Sequence, residues 1–95
     1  MKELQITIEE AAEIFKDRFN YGTPRSEAYK RGFRDRVQKV ATGGKHVPSR
    51  PYPPGSPHFD AYGAGFEHAL NSMEVWVMRR EEAAEEAELL VRSEG

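Results

Sequence analysis

The chain has 95 residues, no cysteine and a net charge of −2 at pH 7. That length fits one small domain with a modest core, and the lack of cysteine excludes a disulfide framework, a zinc–thiolate centre and a thiol nucleophile. No apolar run approaches the roughly 20 residues that span a bilayer, and the N-terminal MKELQITIEE has no apolar signal core, so a soluble cytoplasmic protein is expected.

Thr7 followed by Glu10 predicts a capping box at the start of a first helix, each side chain satisfying a backbone donor of the other residue. Ile8, Ala11, Ala12, Phe15 and Phe19 then recur at helical spacing, and Gly22 suits the left-handed cap that ends the helix. A second helix opens at Thr23-Pro24, with Ser26 as the other candidate cap. Tyr29, Phe33, Val37, Val40 and Ala41 form its apolar stripe, and Thr42-Gly43-Gly44 stops it. Residues 43 to 57 hold five of the six prolines, which excludes helix and central strand; they read as an extended connector with Tyr52 turned inward.

A third helix starts near Ser56-Pro57 and continues through Phe59, Tyr62, Phe66, Ala69, Leu70, Met73, Trp76 and Val77. Its pattern reaches Val91, about 50 Å of helix, which is more than the first two helices cover. Either it breaks near Asn71-Ser72 or its end projects. Ala69, Met73, Trp76, Arg80, Ala83, Ala87 and Leu90 alternate steps of four and three, as a coiled-coil seam does, although Arg80 and the alanines weaken it. The expected fold is all-α, a single domain over 1–95. It divides into an N-terminal helix (1–22), a helix–connector–helix unit (23–78) and an acidic helical tail (79–95).

The second and third helices share a phrase. EAYKRGFRDR at 27–36 and DAYGAGFEHA at 60–69 both read Ala-Tyr, two variable residues, Gly-Phe. Tyr and Phe four residues apart lie on one helix face, and the glycine sits close to that face. A glycine costs about 1 kcal/mol against alanine inside a helix, so something must offset it. Close approach of two backbones at Gly32 and Gly65 predicts that the second and third helices pack with these faces together.

AYKRGF, RPYPPGS and AYGAGFEHA together resemble the ribosome modulation factor family and its small phage- and plasmid-borne relatives. The matching positions are Arg31, Gly32 and Phe33, then Pro51 and Tyr52, then Tyr62, Gly65, Phe66 and Ala69, within about residues 27 to 70. The resemblance implies a two-helix domain that binds the ribosome and favours an inactive, hibernating state. The chain departs from it in its acidic balance, its extra N-terminal helix, its Glu-rich C-terminal extension and Arg50, where relatives often carry a cysteine.

Charge is strongly patterned. Residues 25 to 50 hold eight bases against Glu27 and Asp35, and residues 81 to 95 hold six glutamates against Arg92. Lys30, Arg31, Arg34, Lys39, Lys45 and Arg50 suit phosphate contacts, while Tyr52 and His46 suit stacking on an unpaired base. The alternative is a solvated face with ion pairs from Arg31 to Asp35 or Glu27. His46, His58 and His68 are too scattered for a metal motif and read as surface histidines. The serines have no base arranged around them, and ATGGK at 41–45 is only a fragment of a phosphate loop. No catalytic constellation, metal site or cofactor is expected, and the protein reads as a non-enzyme.

Glutamates 81, 82, 85, 86 and 88 repel one another near a helix C-terminus. Such a tail either frays or meets a basic surface: this chain's own 25–50 segment, a second copy, or a host protein that normally holds nucleic acid. Ribosome or structured-RNA binding through the basic helix and connector is therefore the leading function. The alternative is a phage-type inhibitor that binds a host protein, or a homodimer, through Met73, Trp76, Arg80, Glu81, Glu85 and Glu88. Core packing of Met73 and Trp76 competes with that second role.

Overall fold

The computed structural model describes residues 4–20 and 24–94, which form α1 (Ile8–Asn20), α2 (Glu27–Ala41) and α3 (Pro57–Glu94). The fold is all-α, with no strand among the described residues. Capping starts each helix. Thr7 N donates to Glu10 Oε1 at 3.1 Å and Glu10 N donates to Thr7 Oγ1 at 3.0 Å, the reciprocal box that the sequence predicts. Of the two candidate caps on α2, Ser26 takes the role, accepting from Tyr29 N at 3.2 Å; Thr23 and the proposed cap Gly22 lie outside the described residues. Ser56 Oγ accepts from Phe59 N at 3.1 Å at the head of α3. Gly43, at φ 64°, ends α2 by donating to Val40 O at 3.1 Å.

The core joins Ile6, Ala11 and Ile14 from the N-terminal segment, Phe33 and Val37 from α2, and Ala69 and Met73 from α3. One expectation is corrected here. Ile8 is 67% exposed and Ala12 is exposed, while Ala11 and Ile14 are buried. Ile6, before the cap, and Ala11, four residues into the helix, are both buried, as in a hydrophobic staple. α1 is thus rolled so that its Ala11–Ile14 edge meets the core and its Ile8–Ala12 edge does not.

α2 and α3 cross at the repeated phrase. A Cβ built on Gly32 would fall 2.0 Å from Tyr62 O, and one built on Gly65 would fall 2.0 Å from Tyr29 O. The neighbouring contacts match as well, Phe66 N and Phe33 N each lying 3.1 Å from the respective Cβ. The two copies thus pack antiparallel about a local two-fold axis, and the tyrosines obey it. Tyr29 Oη bonds His68 Nδ1 at 2.6 Å, and Tyr62 Oη donates to Asp35 Oδ2 at 2.5 Å. Asp35 and His68 occupy the same position of the phrase.

α3 does not break at Asn71-Ser72. It runs unbroken for 38 residues, and the molecule is correspondingly 60 Å in its longest dimension. Residues 78 to 91 are exposed throughout, so the end of α3 projects past the body. Arg80 ties the seam back to the N-terminal segment, donating to Gln5 O and to the Glu10 carboxylate of α1.

Candidate nucleic-acid interface

Asp35 organises the basic face from beneath. It is only 7% exposed, and three donors converge on its carboxylate. Tyr62 comes from α3; His46 Nε2 at 3.0 Å and Ser49 N at 3.4 Å come from the connector. Burial pushes the Asp35 carboxyl up, but the hydrogen bonds from Tyr62, His46 and Ser49 outweigh it and hold the group below its ordinary value. The same contacts push the Tyr62 phenol up to about 12, through burial first and the adjacent carboxylate second. One carboxylate therefore ties the proline-rich connector to both helices. Tyr52 is carried with it and lies half-buried, as expected, with its ring 5.4 Å from His58 and 6.2 Å from Tyr62.

Two readings of these residues change. Asp35 does not serve Arg31 in a surface ion pair; it turns into the fold. His46 and His68 are partners of Asp35 and Tyr29 rather than plain surface histidines. The available signal was positional: 35 and 68 are equivalent in the repeat, and each lies two residues after a Gly-Phe pair.

A concavity of about 510 Å³ opens above Asp35, lined by Arg31, Arg34, His46 and Tyr52 together with Glu27, Gln38 and Ser49. Arg31 and Arg34 are exposed, and the Arg34 guanidinium also stacks 4.9 Å from the Phe15 ring. Lys39, Lys45 and Arg50 are exposed but stand outside the concavity, and the Arg50 guanidinium lies 5.6 Å from the Phe66 ring. Lys30 is not part of this group. Its Nζ sits 3.6 Å from the Glu27 carboxylate and 5.9 Å from the Phe19 ring, so it faces α1. α3 leaves Arg31 and Arg34 uncovered.

The residues of the alternative surface divide. Met73 is fully buried and offers no surface. Trp76 is half-buried, and its Nε1 donates to Glu10 Oε2 at 2.7 Å. Arg80 donates to both Glu10 oxygens at 2.9 Å and to Gln5 O at 3.2 Å. These contacts clamp α1 onto α3, and the Trp76 hydrogen bond is the main reason the Glu10 carboxyl lies below its ordinary value. Glu81, Glu85 and Glu88 stand exposed on the projecting end.

No family model, curated protein or solved structure matches this chain. Among the described residues, no group of three or more acidic or histidine side chains is placed to hold a metal, and no helix is long and apolar enough to cross a membrane.

Proposed function

We propose that this chain is a non-enzymatic binding protein that contacts the ribosome or another structured RNA through α2 and the connector. The observation that carries this reading is the grouping of Arg31 and Arg34 with His46 and Tyr52 around one open concavity. Two guanidinium groups supply phosphate affinity without sequence selection, and the aromatic rings beside them suit an unpaired base. The Asp35 carboxylate beneath is engaged by Tyr62, His46 and Ser49, and Glu27 at the rim is paired with Lys30. Resemblance to the ribosome modulation factor family supports the same face. Arg31, Pro51 and Tyr52 lie on or beside it, whereas Gly32, Phe33, Tyr62, Gly65 and Ala69 are buried scaffold.

The test is capture from bacterial lysate with tagged protein, with and without ribonuclease, at low and moderate salt. Ribosomal RNA and subunits that disappear on ribonuclease treatment support the reading; their absence at low salt defeats it.

A second reading rests on the exposure of residues 78 to 91. An acidic helix held clear of the body is a surface for a basic host protein, as in a phage-type inhibitor. A single protein retained through ribonuclease treatment and lost on Glu85→Lys favours this alternative.

A further inference from the structure

A second concavity, of about 470 Å³, lies between α1 and α2. Its lining is mostly apolar, with Ile8, Ala12 and Phe15 from α1 and Val37 and Ala41 from α2, joined by Arg34 and His46. It exists because α1 is rolled off its Ile8–Ala12 edge. Ile8 is left 67% exposed in this mostly apolar lining.

The projecting end of α3 has the complementary character. Met78, Glu82, Glu85 and Leu89 fall at i, i+4, i+7 and i+11 and share one helix face, apolar at both ends and acidic between. Met78 is 59% and Leu89 is 62% exposed. This face covers about three turns of helix, and the groove runs along about two turns of α2, from Arg34 to Thr42.

We propose that the α3 end of one copy docks into the α1–α2 groove of a second copy, and that the exchange is reciprocal. The contact cannot form within one chain, because an unbroken helix carries residues 78 to 91 away from its own groove. Charge selects the orientation. Arg34 and His46 line the groove and Lys45 precedes His46, so the tail carboxylates are matched on that side. Pairing of two tails with each other would instead set glutamates 81 to 88 of one against those of the other. A reciprocal exchange closes as a two-fold dimer without exposed repeats of the interface. Arg34 borders both concavities, so a docked tail keeps a phosphate chain out of the polar one. That consequence rests on the RNA reading, whereas the self-association does not.

Sedimentation velocity on the full chain without RNA tests this, across a concentration series at low and high salt. Wild type should dimerise with concentration at low salt and less so at high salt. Glu82→Lys/Glu85→Lys and Arg34→Glu/Lys45→Glu, each checked for folding by circular dichroism, should each dimerise at least tenfold more weakly. An equimolar mixture of the two variants should associate again, since each reversed surface then meets its complement. Three results overturn the proposal: a wild type that stays monomeric throughout, variants that associate as wild type does, or a mixture that does not recover. A monomeric wild type that retains a basic lysate protein through Glu82 and Glu85 assigns the tail to another partner and overturns self-docking too.

Discussion

Gly32 and Gly65 face each other across the α2–α3 crossing, each leaving room for the carbonyl oxygen of a tyrosine from the opposite helix. A methyl group at either position would sit 2.0 Å from that oxygen. The neighbour is backbone, so the helices themselves must separate. Gly65→Ala and Gly32→Ala should each lose about 2 kcal/mol, although alanine ordinarily gains about 1 kcal/mol inside a helix. The melting temperature should fall by about 10 °C. Gly63→Ala is the internal control. It lies in the same helix with nothing near its missing Cβ, and it should raise the melt by a few degrees. Equal melts for Gly63→Ala and Gly65→Ala would refute the close-approach account.

Asp35 makes stability acid-sensitive. Its folded-state pKa lies below the unfolded value, so its contribution is complete above the unfolded pKa near 4 and is lost as pH falls through the folded one. Asp35→Asn should flatten urea-derived stability between about pH 5 and pH 2. It should also cost about 2–4 kcal/mol at neutral pH, because Tyr62, His46 and Ser49 lose a charged acceptor. A pH profile that keeps its wild-type slope would rule Asp35 out as the source.

Tyr62 gives the opposite limb. Its pKa is raised to about 12, so the neutral phenol stabilises the fold fully below the unfolded value near 10 and that stability is lost as pH rises toward 12. In an ultraviolet titration one tyrosine should ionise only near pH 12 or on alkaline unfolding. Tyr62→Phe should remove that late step.

Glu10 holds α1 through Trp76 and Arg80 while also completing the capping box with Thr7. Glu10→Ala should therefore cost about 2 kcal/mol, more than a cap alone. Trp76 is the only tryptophan, so its emission should shift to the red as the ring gains water. Thr7→Ala should cost about 1 kcal/mol with no such shift.

If RNA uses the concavity, Arg31 and Tyr52 should separate by mechanism. Arg31→Ala should weaken binding evenly across sequences and reduce the salt slope by about one. Tyr52→Ala should lose about 1–3 kcal/mol of affinity with the salt slope intact. Lys30→Ala should weaken binding less than Arg31→Ala, since Lys30 does not line the concavity and acts there only through its pairing with Glu27. Fluorescence anisotropy with a labelled ribosomal RNA fragment reads all three.

The helices, the caps at Thr7, Ser26 and Gly43, and the crossing point were legible in the residues. Thr7 with Glu10, Ser26, and Gly43 act within one turn of backbone, and the repeated Tyr-x-x-Gly-Phe phrase states its own packing, because a glycine beside an apolar stripe needs a close neighbour. The candidate site was legible only as composition. A run of basic residues on α2 gave the cations but not their grouping: Arg31 and Arg34 line one concavity with Tyr52, while Lys30 lies near Glu27 and the Phe19 ring of α1. That division depends on the path of the connector, which Asp35 sets by gathering donors 11 and 27 residues away. The roll of α1 and the Glu10–Trp76 clamp, 66 residues apart, are of the same kind. Capping and periodicity are settled by neighbours within a turn, whereas the side a buried charge faces is settled by which distant donors the folded chain brings within 3 Å.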